Sequence, residues 1–174
     1  MNPLTAQQAL QPLVGLKLSI ARRAASMRVF HFGAIRPHHR GKGTVGAYAL
    51  HLQCPWRLVG PDGIITGSSD RNEPPANGAE IDRNDARAGT LQDVRLAALF
   101  GGYDLETRSH INATGGLVVT AVTADHFGSV DVSLTGDVRL QLFPDGSLGE
   151  DWRFFDASGE KPHFVAEAGR FECE

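Results

Sequence analysis

The chain has 174 residues, 41% hydrophobic and 21% charged, with a formal net charge of −3. That size suits one domain, residues 1–174, with a real core, and the composition argues against wholesale disorder. Two cysteines, Cys54 and Cys173, lie too far apart for a disulfide framework or a metal-ligand spacing, which makes a reducing cytoplasm the simplest setting.

Thr5 is placed to cap a helix over residues 5–14, where Ala6, Leu10, Leu13 and Val14 recur at helical spacing. Pro12 shortens or bends it and Gly15 ends it. Leu16, Leu18 and Ile20 then alternate with Lys17, Ser19 and Ala21 as in a half-buried strand, and Met27–Phe32 predicts a second. Residues 1–30 hold no long apolar core followed by a small-residue cleavage site, which argues against a secretory signal. No run is long enough to span a membrane, so none is expected as a partner. One proline and three glycines in "GAIRPHHRGKG" predict an exposed loop.

In a regular strand Tyr48, Leu50, Leu52, Cys54, Trp56 and Leu58 share one face and Ala49, His51, Gln53 and Arg57 the other. Pro55 implies an edge position or a bulge. The turn "GPDG" and the following "IIT" complete a predicted long hairpin in which Cys54 is a small core residue. Residues 68–89 are polar and without period, a surface connection of a length uncommon unless it is functional or mobile. Thr90 caps a predicted helix, Leu91–Phe100, with Asp93 in its first turn. Leu91, Val94 and Ala98 mark its apolar face, Leu96, Leu99 and Phe100 widen it, and Gly101 or Gly102 closes it. The remainder reads as an antiparallel meander, with apolar rows Val130, Val132, Leu134 and Val138, Leu140, Leu142. The expected fold class is α+β: a mainly antiparallel curled sheet or partly closed β-barrel with two helices, a two-layer sandwich being the alternative.

Chemical motifs are sparse. None of the seven histidines forms a His-x-x-x-His or His-x-x-Glu-His pair, and no motif implies a metal or other cofactor, although a metal site assembled from distant strands stays open. "HHRGKGTVG" lacks the order of a phosphate-cradling loop, no Gly-x-Ser-x-Gly elbow occurs, and Cys54 has no charged neighbour nearer than Arg57. The pairs Trp56-Arg57 and Trp152-Arg153 place each tryptophan in the core and each arginine on the surface if they lie in strands. Charge is asymmetric: no acidic residue precedes Asp62, while Arg22, Arg23, Arg28, Arg36, Arg40 and Arg57 do. That asymmetry fits either a basic patch or two chain ends that neutralise each other, and the spread of the basic residues among apolar ones favours the second.

The runs "ALHLQCPWRL", "GSSD", "RLAALFGG" and "RLQLFPDGSLGEDWRFF" resemble a family of small bacterial proteins with no known activity. The late hairpin with "DGS" is similar, in architecture alone, to immunity-type proteins. These resemblances and the lack of motif point to a non-enzymatic cytoplasmic binding or accessory protein, immunity-like, acting on a protein partner or small molecule. The alternatives are a small-ligand-binding or hydrolytic barrel, and nucleic-acid binding through the basic N-terminal strands, which the core-bound aromatics disfavour. The expected site lies where "CPWR" meets residues 68–89, with His51, Arg57 and Asp70 as ligand-binding candidates; a plain cross-strand polar pair is the competing account of them.

Overall fold

The computed structural model describes residues 5–174. Thr5 and Gln8 form a capping box on α1 (Ala6–Leu10). The helix is shorter than its spacing predicts, because Pro12 has no N–H to continue it and the chain passes into a 3₁₀ turn, Gln11–Leu13. β1 (Leu18–Ala24) and β2 (Met27–Phe32) follow, then the two-residue strands β3 (Arg36–Pro37) and β4 (Thr44–Val45). β5 (Tyr48–Leu52), β6 (Trp56–Gly60) and β7 (Gly63–Gly67) lead to a 3₁₀ turn, Ser68–Asn72, the long connection, and α2 (Leu91–Phe100). β8 (Gly101–Asp104), β9 (Ser109–Asn112), β10 (Val119–Ala124), β11 (Val130–Leu134) and β12 (Val138–Leu142) come next. β13 (Glu150–Asp156), β14 (Phe164–Glu167) and β15 (Arg170–Cys173) end the chain.

The fold is α+β with antiparallel sheets, but no barrel closes. An eight-stranded sheet has the order β15-β14-β13-β5-β2-β1-β9-β8, a five-stranded sheet the order β10-β11-β12-β6-β7, and β3 and β4 pair separately; the outer edge of β10 is partly covered by backbone bonds from Val119 to Gly15 and Leu16. The expected long hairpin is split between the eight-stranded and five-stranded sheets. The N–H groups of Gln53 and Cys54 both donate to the Asp151 carbonyl (2.9 Å each), and Pro55 has no N–H for a ladder. The chain therefore leaves the large sheet after β5, and β6 pairs with β12 and β7 instead. A tight turn centred on Pro61 and Asp62 would set Arg57 against Thr66, but within β6–β7 a bulge sets Arg57 against Gly67 and Leu58 against Thr66, one residue away.

One buried cluster joins the two sheets. Phe30 of β2 meets Trp56 of β6 edge to face with ring centroids 5.4 Å apart. The indole N–H of Trp152, on β13, donates to the Gly128 carbonyl in the β10–β11 turn (2.8 Å). Each fully buried Leu or Phe of this cluster stabilises the fold by roughly 1.5–3 kcal/mol. No described helix is long and apolar enough to cross a membrane.

Gly46 shows how closely the chain packs between β4 and β5. A Cβ there would lie 2.5 Å from the Phe32 carbonyl oxygen, a backbone atom that cannot swing aside. Gly46→Ala is expected to cost about 1–3 kcal/mol by overpacking, read as a lowered urea midpoint with unchanged slope.

Candidate arginine-walled site

At one end of the molecule the β1–β2 turn, the link between β5 and β6, residues 68–89 and the β8–β9 turn surround a cavity of about 500 Å³. Arg23, Arg28, Arg71, Arg83 and Arg108 all line it, and no acidic side chain does.

Each arginine is placed by a different element. Arg28, the second residue of β2, lies on the inner face of the large sheet and is only 3% exposed. Its Nη2 donates to Gln92 Oε1 and lies 3.6 Å from Asp93 Oδ1, while its Nε has no hydrogen-bond partner. Burial pulls its guanidinium down to about 10, with Asp93 opposing, so it stays charged at neutral pH. Arg23 lies 3.7 Å from Asp93 Oδ2. Gln92 is fixed in turn by donating to the Gly67 carbonyl (2.8 Å). The loop arginines use neutral acceptors only. Arg71 Nη1 donates to the Ser26 carbonyl (2.8 Å), Arg83 donates to the Arg71 carbonyl (3.3 Å) and Asn72 Oδ1 (3.2 Å), and Arg108 donates to the Asn84 carbonyl. These bonds tie the long connection down over the cavity.

Two carboxylates act on this group from outside the lining. Asp93 is buried behind Arg28. Asp85 caps the N–H groups of Arg87 and Ala88, which hold its carboxyl below the ordinary range, with Arg23 and Arg108 adding to the effect. The lining also includes the apolar Met27, Leu52, Cys54, Pro55 and Trp56, with the polar Gln53 among them. Burial, and after it Asp151, pushes the Cys54 thiol up to about 12, so it carries no thiolate at neutral pH. Ala25, in the β1–β2 turn on the rim, holds a left-handed φ of 54°, a conformation that costs a non-glycine residue about 1 kcal/mol or more.

The cavity lies where Cys54, Pro55 and Trp56 meet Ser68, Arg71, Arg83 and Ala86, the place read from the sequence, but His51, Arg57 and Asp70 do not line it. His51 is on the outer face of the large sheet, opposite Val29 and Arg153, with its ring edge-on to Phe155 at 4.9 Å. Burial pushes its imidazole down to about 4. Arg57 belongs to the other sheet, donating to Gln141 Oε1 (2.8 Å) with its guanidinium 4.9 Å from the Phe143 ring centroid. Gln141 and Phe143 line a second cavity of about 340 Å³. Asp70 accepts from Thr66 Oγ1 (2.8 Å), one residue from Arg71. The structure does not bring the three together, because the break at Pro55 sends His51 and Arg57 into different sheets.

The expected neutralisation of the two chain ends is slight: among the described residues one ion pair joins them, Arg36 to Asp156 at 3.8 Å. Arg23 and Arg28 turn to the cavity instead. The sequence signal for this was the acid-free first third of the chain together with the arginines of residues 68–89. No group of three His, Cys, Asp or Glu side chains able to hold a metal lies among the described residues. No family model, curated protein or solved structure matches the chain.

Proposed function

We propose that the chain is a single-domain, non-enzymatic binding or accessory protein of the cytoplasm whose working site is the arginine-walled cavity, and that the group it takes is an anion. The observation that carries this reading is the imbalance at the site: five guanidiniums converge on a space that no carboxylate lines. Like charges gathered in this way repel, and an anion relieves the repulsion. Planar guanidinium forks also match the geometry of oxoanions. A binding role is supported by Cys54, a wall residue that stays protonated and so offers no nucleophile. The cytoplasm is supported by two unpaired thiols, that of Cys173 exposed. An immunity-like role fits the same site when the anion is an acidic side chain of a protein partner.

Nucleic-acid binding draws on the same arginines, yet Trp56 and Trp152 are buried and give single-stranded bases no stacking platform beside them.

Thermal-shift and calorimetric titration with sulfate, citrate and pyrophosphate at low ionic strength test the proposal. Binding that weakens in high salt is expected. Arg83→Ala and Arg108→Ala, both at exposed positions, are each expected to weaken it about tenfold or more, the scale of one charge-assisted hydrogen bond. His51→Ala and Arg57→Ala are expected to leave it unchanged. Loss of binding in these two, with folding intact and the cavity variants unaffected, would move the site to the β5 and β6 surfaces.

A further inference from the structure

We infer that the anion is the phosphoryl group of a small organic phosphate of nucleotide size, seated on Arg28, Arg71 and Arg108, with its organic part against Met27 and Pro55. This inference rests on the cavity being an anion site and names the chemistry that fills it.

Charge is the first argument. Five guanidiniums face the influence of two carboxylates, Asp93 and Asp85, so the site has a surplus that a dianion balances better than a single carboxylate. The second is the floor. Arg28 is almost wholly buried, its Nη2 donates to the Gln92 amide and faces Asp93 at 3.6 Å, and its Nε is left without a partner. An oxoanion has enough oxygens to meet several guanidiniums at once. A phosphate monoester presents three terminal oxygens, which suits guanidiniums arriving from β2, the 3₁₀ turn and the β8–β9 turn.

Size and wall chemistry extend the inference from phosphate to organic phosphate. A cavity of about 500 Å³ belongs to the range that holds small organic ligands, far more space than an inorganic ion fills. The lining also has an apolar part. Arg23 and Arg28 come from β1 and β2 and Arg71, Arg83 and Arg108 from turns and the long connection, whereas Leu52, Cys54, Pro55 and Trp56, with Gln53 among them, come from the stretch where the chain passes between sheets. A ligand with one strongly anionic end and one flat or apolar end meets both. The site is also held in shape before the ligand arrives, since Arg71, Arg83 and Arg108 each tie the loop to a backbone carbonyl. Little ordering is left for the ligand to impose.

The test is calorimetric titration with inorganic phosphate, pyrophosphate, adenosine 5′-monophosphate and 5′-diphosphate, citrate and a short 5′-phosphorylated oligonucleotide, with phosphorus-31 resonances followed for the phosphates. The nucleotides are expected to bind at least tenfold tighter than inorganic phosphate and citrate, with shifted and broadened phosphorus signals. Arg28→Lys keeps the charge and loses the fork, and is expected to weaken nucleotide binding at least tenfold. Arg108→Lys, at an exposed position, gives the same reading at smaller amplitude if the Arg28 variant fails to fold. Citrate binding as tightly as every phosphate, with sensitivity to Arg108→Ala, would overturn the phosphate inference and leave the anion site standing. Silence from every anion would overturn both. Binding of the oligonucleotide alone would replace the small ligand with a nucleic acid.

Discussion

Asp93→Ala is expected to lower the stability of the protein by about 3–5 kcal/mol, more than any other single change to a polar side chain discussed for this chain. Asp93 is fully buried, and its carboxylate serves two ends at once. Oδ2 accepts from Thr90 Oγ1 (2.8 Å) and from the Thr90 N–H (3.2 Å), closing the capping box of α2. The same carboxylate faces Arg28 at 3.6 Å and Arg23 at 3.7 Å. Losing the cap alone costs about 1 kcal/mol. The larger part comes from leaving the Arg28 guanidinium buried with only Gln92 beside it. Asp93→Asn keeps an acceptor for Thr90 and removes the charge, so it isolates the second part and is expected to retain only the capping share of the stability. Adding Arg28→Met to Asp93→Ala is expected to recover part of the loss, because it removes the orphaned charge. Urea unfolding of the three variants measures this. A loss below about 1 kcal/mol for Asp93→Ala would mean that Arg28 finds water or another partner and that the cavity floor is wetter than its packing indicates.

Local chemistry was legible in the sequence, and long-range satisfaction was not. Thr90 and Asp93 announce α2 because a capping box is made within four residues, and the rows Val130–Val132–Leu134 and Val138–Leu140–Leu142 announce β11 and β12 because each strand buries one face. The buried face of α2 was read in part: Leu96 and Phe100 are buried as expected. Leu91 and Val94 are only half-buried and Ala98 is exposed, while Gln92, Asp93, Leu96 and Phe100 are buried. Gln92 and Asp93 can go inside because Arg28 and the Gly67 carbonyl meet them, and nothing near them in the chain shows that. The exchange between sheets at Pro55 left a sign that fits an edge or a bulge equally well. The β8–β9 hairpin and β15 carry too little alternation to stand out. The length and polarity of residues 68–89 pointed to the region where the cavity lies, while His51, Arg57 and Asp70 do not line it. Its arginines were not readable as a set, since only the fold gathers Arg23 and Arg28 with Arg71, Arg83 and Arg108.

Acidification from about pH 7 to about pH 4.5 is expected to remove several kcal/mol of stability, chiefly through two buried imidazoles. His31 is 5% exposed, and its Nδ1 accepts the Gly46 N–H (3.2 Å), a bond open only to the neutral ring. Burial, and then Arg22, pushes it from the ordinary 6.5 to about 3. His110 is 1% exposed, between the Phe100 and Tyr103 rings, and burial followed by Arg28 pushes it to about 4. Both folded values lie below the unfolded one, so between about pH 6.5 and pH 3–4 the unfolded chain binds more protons than the folded chain. Their contribution is therefore fully present above about pH 6.5 and is lost as the pH falls, by about 2 kcal/mol for each at pH 4.5. That is a large part of the total stability of a domain this size. Glu150 and Asp156, whose carboxyls are held low by Arg153 and by the Ser158 N–H, add loss in the same direction at still lower pH. Asp151, raised by burial, opposes it weakly. His51, half-buried and pushed down to about 4, adds loss over the same range, so thermal melts are expected to show a falling midpoint, and His31→Gln, which can still accept from Gly46, is expected to flatten the slope by about a third. A midpoint that stays level down to pH 4.5 would mean that both rings take up protons without unfolding, which their packing against Phe100, Tyr103 and the Gly46 N–H does not permit.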